Sequence, residues 1–223
     1  MKTKRINNID ISRKSPSSQI GGKKKGVLFI VSAPSGAGKT TLCSRIMKTV
    51  DNLKMSVSFT TRQPRAGEVN DKDYTFVSKQ EFQKMIRRKE FVEWAEVHGN
   101  LYGTSRKRLN NLLKASFDVL LDIDTQGARQ IRKACKEGVF IFILPPSLKI
   151  LRERLEKRKS NTKEDMEKRL KNALKEIKNY NRYDYVIINN DLKLSIKRLE
   201  AVITSERLRS SKIDNNHIKR ILI

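Results

Sequence analysis

The sequence has few of the residues that form metal sites or disulfide frameworks. Among its 223 residues there are two cysteines and two histidines, and no group of them has metal-ligand spacing. Cys43 and Cys135 lie within or just after helical patterns and need not pair, which fits a reducing compartment. No apolar run approaches the length of a membrane-spanning helix, and residues 1–25 lack the apolar core of a secretory signal. These absences favour a cytoplasmic protein without a membrane partner.

Acidic residues are scarce relative to basic ones. The chain has 49 Lys and Arg against 24 Asp and Glu, a formal charge of +25. Residues 1–25 carry +7 and residues 207–223 carry +4, which leaves +14 for residues 26–206. That excess favours polyanionic ligands, and both nucleotides and nucleic acids fit it. We interpret 207–223 as a basic C-terminal tail and 1–25 as a disordered basic arm, with a mitochondrial transit peptide or a nucleic-acid-binding tail as alternatives for the arm.

The strongest local pattern is a buried strand, a glycine-containing turn and a helix. Residues 27–31 are apolar and rich in β-branched types, and helical spacing begins at Thr41. Gly36 and Gly38 allow main-chain N–H groups to converge on an anion, and the helix N-terminus adds positive potential. Lys39 is expected to reach the β- and γ-phosphates of ATP, and the Thr40 hydroxyl to hold Mg²⁺. The predicted ATP-binding loop comprises Ala33 (where such loops usually have glycine), Pro34, Ser35, Gly36, Ala37, Gly38, Lys39, Thr40 and Thr41.

Further apolar strands alternate with helical patterns along the chain. One covers residues 117–124 and ends in Asp122 and Asp124, and others cover 139–144 and 185–188. A strand-end carboxylate behind a phosphate loop is expected to position Mg²⁺, and we assign that role to Asp122. Strands alternating with helices predict an α/β fold built on a doubly wound parallel sheet.

Residues 58–106 form a predicted insertion of small mixed α+β character. It contains a strand that turns at Pro64, a helix capped by Ser78, and an alternating strand over residues 91–97, whose acidic residues we place on one side. Arg62 and Arg65 lie on the extended segment before and after Pro64, where their guanidinium groups are able to converge on one anion.

Two basic helices separated by the polar residues 160–162 predict a mobile lid over residues 151–171 that closes over phosphates. A charged, solvent-exposed surface is the alternative. The remaining segments, 26–57, 107–150 and 172–206, form the predicted phosphate-loop core.

Several motifs together resemble those of guanylate kinases, in family order over roughly residues 26–206. They are Ser35-Gly36-Ala37-Gly38-Lys39-Thr40, Thr60-Thr61-Arg62-Gln63-Pro64-Arg65-Ala66-Gly67-Glu68, Asp73-Tyr74, Glu93-Trp94, Gly99-Asn100-Leu101-Tyr102-Gly103, Leu121-Asp122-Ile123-Asp124 and Gln126-Gly127. The resemblance implies that the γ-phosphoryl group of MgATP is transferred to GMP to give ADP and GDP. It implies GMP and ATP as partners and Mg²⁺ as the cofactor.

The resemblance also implies roles for individual residues. Those expected to bind GMP, around its phosphate or its guanine, are Ser58, Arg62, Arg65, Glu68, Tyr74, Glu93, Tyr102, Thr104, Asp122 and Asp124. Those expected to act in catalysis are Lys39, Arg62 and the lid arginines Arg154, Arg158 and Arg169. Asn189 falls where the family contacts the base region of ATP, and Thr40 and Asp122 are the expected Mg²⁺ ligands.

Three other functions compete with this interpretation. A catalytically inactive, guanylate-kinase-like phosphopeptide-binding module would keep the anion pocket but usually lacks a working phosphate loop, which is intact here. Another nucleoside-monophosphate kinase fits the loop, but fits Glu93 and the arginine block poorly. A nucleic-acid-binding protein fits the charge, yet the sequence has no interleaved basic and aromatic residues, so no specific nucleic acid is expected. The oligomeric state stays open.

Overall fold

Two β-sheets organise the part of the chain that the computed structural model describes, namely residues 25–97, 99–135, 137–156, 163–213 and 215–223. The predicted arm lies outside these ranges except for Lys25, as do Arg158 and the lid residues 160–162. The strands are β1 (Leu28–Ser32), β2 (Leu53–Met55), β3 (Phe59–Thr60), β4 (Thr75–Phe76), β5 (Phe91–Val97), β6 (Asn100–Ser105), β7 (Asp118–Asp122), β8 (Val139–Leu144) and β9 (Tyr185–Ile188). The α-helices are α1 (Lys39–Ile46), α2 (Lys79–Arg87), α3 (Arg106–Lys114), α4 (Thr125–Ala134), α5 (Leu148–Glu156), α6 (Lys163–Ile177), α7 (Leu192–Arg207) and α8 (Asn215–Ile221).

The larger sheet is parallel throughout and has the order β2-β7-β1-β8-β9. Its central strand, β1, is buried along its whole length because helices cover both faces of the sheet. Phe29 and Val31 pack in one cluster with α1 and α7, whereas Leu28 and Ile30 pack in another with α3 and α4. This arrangement confirms the predicted α/β fold with a doubly wound parallel sheet.

The smaller sheet has the order β4-β3-β6-β5 and mixes parallel and antiparallel pairs. Phe82 of α2 packs against Phe91 of β5, with ring centroids 4.5 Å apart, and forms a separate small core. The sequence predicted one strand before Pro64, but the structure has two. The chain leaves the parallel sheet after Met55 and enters the smaller sheet at Phe59, so the apolar stretch is divided between two partners.

Strand β5 corrects the prediction that its acidic residues share one side. Glu93 is buried on the same face as Phe91 and Ala95, whereas Glu96 is exposed on the other face. The prediction was wrong because residues three apart on a strand point to opposite faces. The pairing of β5 with β6 is also irregular between Phe91 and Glu93.

Side-chain caps begin several helices where the sequence places them. Ser78 accepts a hydrogen bond from the Glu81 N–H at 3.1 Å and Ser147 from the Ile150 N–H at 3.2 Å. Asp191 likewise caps α7 through the Leu194 N–H at 2.7 Å. These contacts fix the starts of α2, α5 and α7, and the one at Ser78 confirms the predicted cap.

Asp118 at the start of β7 joins three distant parts of the chain. Its carboxylate accepts a hydrogen bond from the Val27 N–H at 2.6 Å and pairs with the Arg207 guanidinium at 2.6 Å. Arg207 also donates to the Asp51 carbonyl at 2.7 Å. The predicted tail 207–223 therefore begins with a residue that is bound to the core.

We expect Asp118→Ala to lower the free energy of unfolding by about 2–4 kcal/mol, because it leaves a buried N–H and a partly buried guanidinium without their partner. Urea unfolding of the ligand-free protein measures the change. Glu137→Ala, which removes an exposed carboxylate, is the matched control. Equal stability of the two variants would show that Asp118 does not join these elements.

Candidate active site

The turn between β1 and α1 has the backbone shape that the sequence predicts for an anion-binding loop. Gly36 and Gly38 have φ values of 90° and 93°, a region that favours glycine. The Ala37 N–H donates to the Pro34 carbonyl at 3.1 Å and closes a tight turn. Ala33, which stands in a usual glycine position, is buried in the core beside β1. Both the loop and the first turn of α1 are therefore in place.

Two predicted site residues support this loop through its backbone. Asn189, which follows β9, donates from its side-chain amide to the Ala37 carbonyl at 2.8 Å. Arg154 of α5 donates to the Ala37 carbonyl and to the Asn189 carbonyl, each at 3.2 Å. A side chain at Gly38 would place its Cβ 2.5 Å from the Asn189 amide nitrogen. The family resemblance assigned Asn189 to the base region of ATP. The structure shows that Asn189 also supports the loop, a contact that the sequence did not indicate.

Lys39 is held at the junction of β1 and β7. Its ammonium group lies 2.5 Å from the Asp122 carboxylate and donates to the Ile123 carbonyl at 2.6 Å. Burial lowers the pKa of Lys39, but the Asp122 carboxylate more than compensates, so the net pKa is raised and the side chain stays charged.

The residues predicted to hold Mg²⁺ line one cavity with Lys39. Thr40 offers a hydroxyl oxygen and Asp122 a carboxylate oxygen, which are the donor types that Mg²⁺ prefers. No cluster of three or more metal-ligating side chains occurs within the described ranges. These donors fit a Mg²⁺ that takes its other ligands from phosphates and water, as is common for nucleotide-bound Mg²⁺.

A cavity of about 210 Å³ lies between the two sheets, beside the phosphate loop. It brings together many of the residues that the sequence assigned to nucleotide binding. Its lining includes Lys39, Thr40, Ser58, Tyr74, Glu93, Tyr102, Asp122 and Asp124.

Glu93 is a buried carboxylate in this cavity, with only 4% of its surface exposed. The Thr104 hydroxyl donates to one carboxylate oxygen at 2.6 Å. The other oxygen lies so close to Gly127 of α4 that a Cβ there would be 2.5 Å away. Burial raises the pKa of Glu93 to about 7; the Thr104 hydrogen bond opposes this shift and the Asp124 carboxylate adds to it. A solvent-facing position for the Glu93 side chain is therefore excluded.

Asp124 lies in the same cavity and caps α4. Its carboxylate accepts a hydrogen bond from the Gly127 N–H at 2.7 Å, and its carbonyl accepts one from the Ser32 hydroxyl at 3.3 Å. The cap fixes the start of α4 close to Glu93, so Asp124 has a positioning contact in addition to its place in the cavity.

Arg62 lies over the rings of Tyr74 and Phe76, next to the cavity but outside its lining. Its guanidinium carbon is 5.3 Å from the Tyr74 ring centroid, and the Tyr74 and Tyr102 rings are 6.0 Å apart. Glu68 pairs with Arg62 at 2.9 Å and accepts from the Arg65 N–H at 2.8 Å. Glu68 thus orients the arginine segment, whereas the Arg65 side chain is exposed and lies outside the cavity lining.

A second cleft, of about 410 Å³, separates α6 from the loop and contains Ser35, Asp124, Arg169 and Glu176. Burial raises the pKa of Glu176 to about 7, and the Asp124 carboxylate acts in the same direction. Glu176 was not predicted as a site residue, because a glutamate in a charged amphipathic helix has no local feature that separates it from solvent-exposed ones. Arg169 lines this cleft, whereas Arg158 is outside the described ranges.

Comparisons with known proteins agree with this geometry. The family model described as "Guanylate kinase" matches residues 25–206. The guanylate kinase of Geobacter metallireducens is 49% identical over 191 residues, which cover 86% of this chain and 94% of that protein. The guanylate kinase of Clostridioides difficile is 47% identical over 197 residues, with 88% and 96% covered. The crystal structure of guanylate kinase from Anaplasma phagocytophilum superimposes with a TM-score of 0.72 at 35% identity, covering 85% of this chain and 90% of that one.

Among the helices of the described ranges, none combines the length and apolar character that crossing a bilayer requires.

The buried carboxyl of Glu93 predicts a pH-dependent cost to stability. Between pH 4.5 and about 7 the folded protein keeps a proton on Glu93 that the unfolded chain releases, so stability falls as the pH rises through this window. We expect Glu93→Gln to remove this loss. The difference in unfolding free energy between the variant and the wild type should therefore shift in favour of the variant by up to about 3 kcal/mol as the pH rises from 4.5 to about 7.

Urea unfolding of the ligand-free proteins at pH 5 and pH 8 measures this difference. Glu96→Gln, on the exposed face of the same strand, serves as the control. A stability difference between Glu93→Gln and the wild type that does not vary with pH would contradict the assigned pKa.

Proposed function

The chain belongs to the guanylate kinase family, and we propose that it binds GMP in the cavity between its two sheets. The protein is an ATP:GMP phosphotransferase that moves the γ-phosphoryl group of ATP to GMP and releases ADP and GDP. The observation that carries the proposed site is a buried carboxylate, Glu93, in the same cavity as the loop lysine, Lys39. No observation favours a phosphopeptide-binding module or another nucleoside-monophosphate kinase.

Glu93 is the proposed guanine-recognition residue. The Watson–Crick edge of guanine presents two adjacent donors, N1–H and the 2-amino group, and one carboxylate accepts from both. Adenine has a lone pair at N1, which an ionised carboxylate repels. The Thr104 hydroxyl, already bonded to Glu93 at 2.6 Å, holds the carboxylate for this contact. Ser58 lines the same cavity and offers a hydroxyl to the O6 edge.

The GMP phosphate is proposed to bind where Arg62, Tyr74 and Tyr102 meet. Arg62 offers a guanidinium that Glu68 holds in place, and the tyrosines offer hydroxyl donors. Arg65 joins this set only if the segment that carries it moves toward the cavity, because its side chain is exposed.

The ATP phosphates are proposed to bind the loop of residues 33–41, with Lys39 reaching the β- and γ-phosphates. Phosphoryl transfer requires in-line alignment and charge neutralisation more than covalent help. Mg²⁺, when held by Thr40, Asp122 and the phosphates, would neutralise part of that charge. Among the lid arginines, Arg154 donates to the Ala37 carbonyl of the loop and Arg169 lines the cleft, which supports a role for both beside the transferred phosphoryl group.

We propose the same three-part division as the sequence indicates. The core is formed by 26–57, 107–150 and 172–206, the GMP-binding insertion by 58–106 and the lid by 151–171. Closure of the lid would exclude water that otherwise hydrolyses ATP. The proposed location is the cytoplasm, in keeping with the free thiols of Cys43 and Cys135, and no specific nucleic-acid partner is proposed.

The assignment of the loop is tested by Lys39→Met, which keeps much of the side-chain volume but removes the charge. We expect turnover in a coupled assay of ADP release to fall by about 10²–10³-fold, because a preorganised charge at the transferring phosphoryl group is lost. The lost pair with Asp122 should also lower the melting temperature, so folding is checked by circular dichroism.

Lys48→Met, at an exposed lysine just beyond α1, is the control and should keep full activity. Near-normal GMP phosphorylation by folded Lys39→Met would overturn the loop assignment.

The assignment of Glu93 is tested by the substrate preference of Glu93→Gln. We expect the Michaelis constant for GMP to rise much more than that for ATP, and the preference for GMP over AMP to narrow by roughly tenfold, because a charge-assisted hydrogen bond is lost. In the wild type the Michaelis constant for GMP should fall as the pH rises through about 7, since guanine binds the ionised carboxylate. The variant should lack this dependence.

Steady-state kinetics with GMP and AMP across this pH range measures both effects, and Glu96→Gln is again the control. Unchanged GMP affinity and selectivity in Glu93→Gln would place guanine recognition elsewhere in the cavity.

A further inference from the structure

A large cavity beside α4 adjoins the 410 Å³ cleft, with which it shares Thr125, Gln126 and Asn179, but its lining contains none of the residues assigned to the reaction. Its volume is about 570 Å³, which lies in the range of small-molecule sites. It lies between α4 and residues 179–184, the segment that leads into β9. None of its lining residues belongs to the 210 Å³ cavity that we assign to GMP.

The lining of this cavity is strongly basic. It contains Arg129, Arg132, Lys133 and Arg182 against a single carboxylate, Asp184. That carboxylate is already engaged, because it accepts from the Phe140 N–H at 2.8 Å and pairs with Arg132 at 3.3 Å. Within the described ranges the other three basic side chains have neither an ion pair nor a side-chain hydrogen bond. The cavity therefore presents uncompensated positive charge.

Arg132 also provides a flat, fixed surface. Its guanidinium carbon lies 3.8 Å from the centroid of the Phe140 ring, and Asp184 holds it from the side. Phe140 is buried, so the guanidinium rests on a rigid support, while 40% of the Arg132 side chain stays exposed. A planar guanidinium in this setting stacks well on a heterocyclic ring.

From these observations we propose that the cavity is a second ligand site, which binds a phosphorylated small molecule of nucleotide size. The unpaired Arg129, Lys133 and Arg182 would bind its phosphates, since arginine and lysine are the usual donors to phosphate. Arg132 would face its ring.

Helix α4 connects this site to the proposed guanine site. One face of the helix lines the basic cavity along its whole length, from Thr125 to Lys133, while Gly127 packs against Glu93. The side-chain amide of Gln130 makes two hydrogen bonds with the backbone of Trp94. It donates to the Trp94 carbonyl at 2.6 Å and accepts from the Trp94 N–H at 3.2 Å. A ligand that shifts α4 would therefore alter β5 and GMP binding. This coupling rests on the proposed role of Glu93, whereas the binding site itself does not.

Calorimetry tests the site on the full-length protein saturated with GMP and ADP, a combination that fills both substrate sites without turnover. The probes are CTP and tripolyphosphate, titrated at physiological ionic strength, where weak long-range attraction is screened. We expect one equivalent of at least one probe to bind, and tighter binding of CTP would show that the ring contributes. In Arg129→Gln/Arg182→Gln the affinity should fall at least about tenfold.

Arg87→Gln/Arg198→Gln removes the same charge from exposed positions on α2 and α7 and should bind as the wild type does. Absence of saturable binding to the wild type, or equal loss in the two double variants, would overturn the proposal. Trp94, the only tryptophan in the sequence, reports on the coupling through its fluorescence. Binding without a change in Trp94 emission or in the Michaelis constant for GMP would leave the site in place and refute its coupling to the guanine site.

Discussion

The parallel pairing of β1 with β7 is the constraint on which the site depends. It places Val31 opposite Asp122, so both strands end at the same edge of the sheet. The loop after β1 then returns Lys39 to within 2.5 Å of the Asp122 carboxylate. A partly buried ammonium group is costly without such a partner, and the pair keeps it charged. The Lys39 charge that is proposed to act in phosphoryl transfer is therefore held in an ion pair with Asp122.

The carboxylate of the proposed guanine site is held differently from Lys39. Glu93 has one hydroxyl partner, Thr104, and otherwise faces buried surroundings and a second carboxylate, Asp124. Its raised pKa means that the ligand-free protein bears a cost at neutral pH that guanine binding would relieve. Such a trade of stability for recognition is common at functional sites. Gly127 permits it, because a larger residue would push α4 away from the carboxylate.

Helix α4 and its capping residue contact both cavities and strand β5. Its capping residue, Asp124, lies in the GMP cavity, and its middle holds β5 through Gln130. Its outer face lines the basic cavity. Helix α4 therefore links the two proposed ligand sites through its contacts with Glu93 and Trp94.

Local patterns in the sequence were sufficient for the alternation of strands and helices, the phosphate loop and the helix cap at Ser78, because each depends on residues a few positions apart. The motif block in addition identified the family, and with it the candidate nucleotide-binding residues. The buried face of Glu93 and the division of one apolar stretch into β2 and β3 needed the tertiary structure, because both follow from which strand lies alongside. The same holds for the support of Ala37 by Asn189, 152 residues away, and for the place of Glu176 at the cleft. Contacts over such distances depend on how the sheets and helices pack, and no local spacing in the chain encodes them.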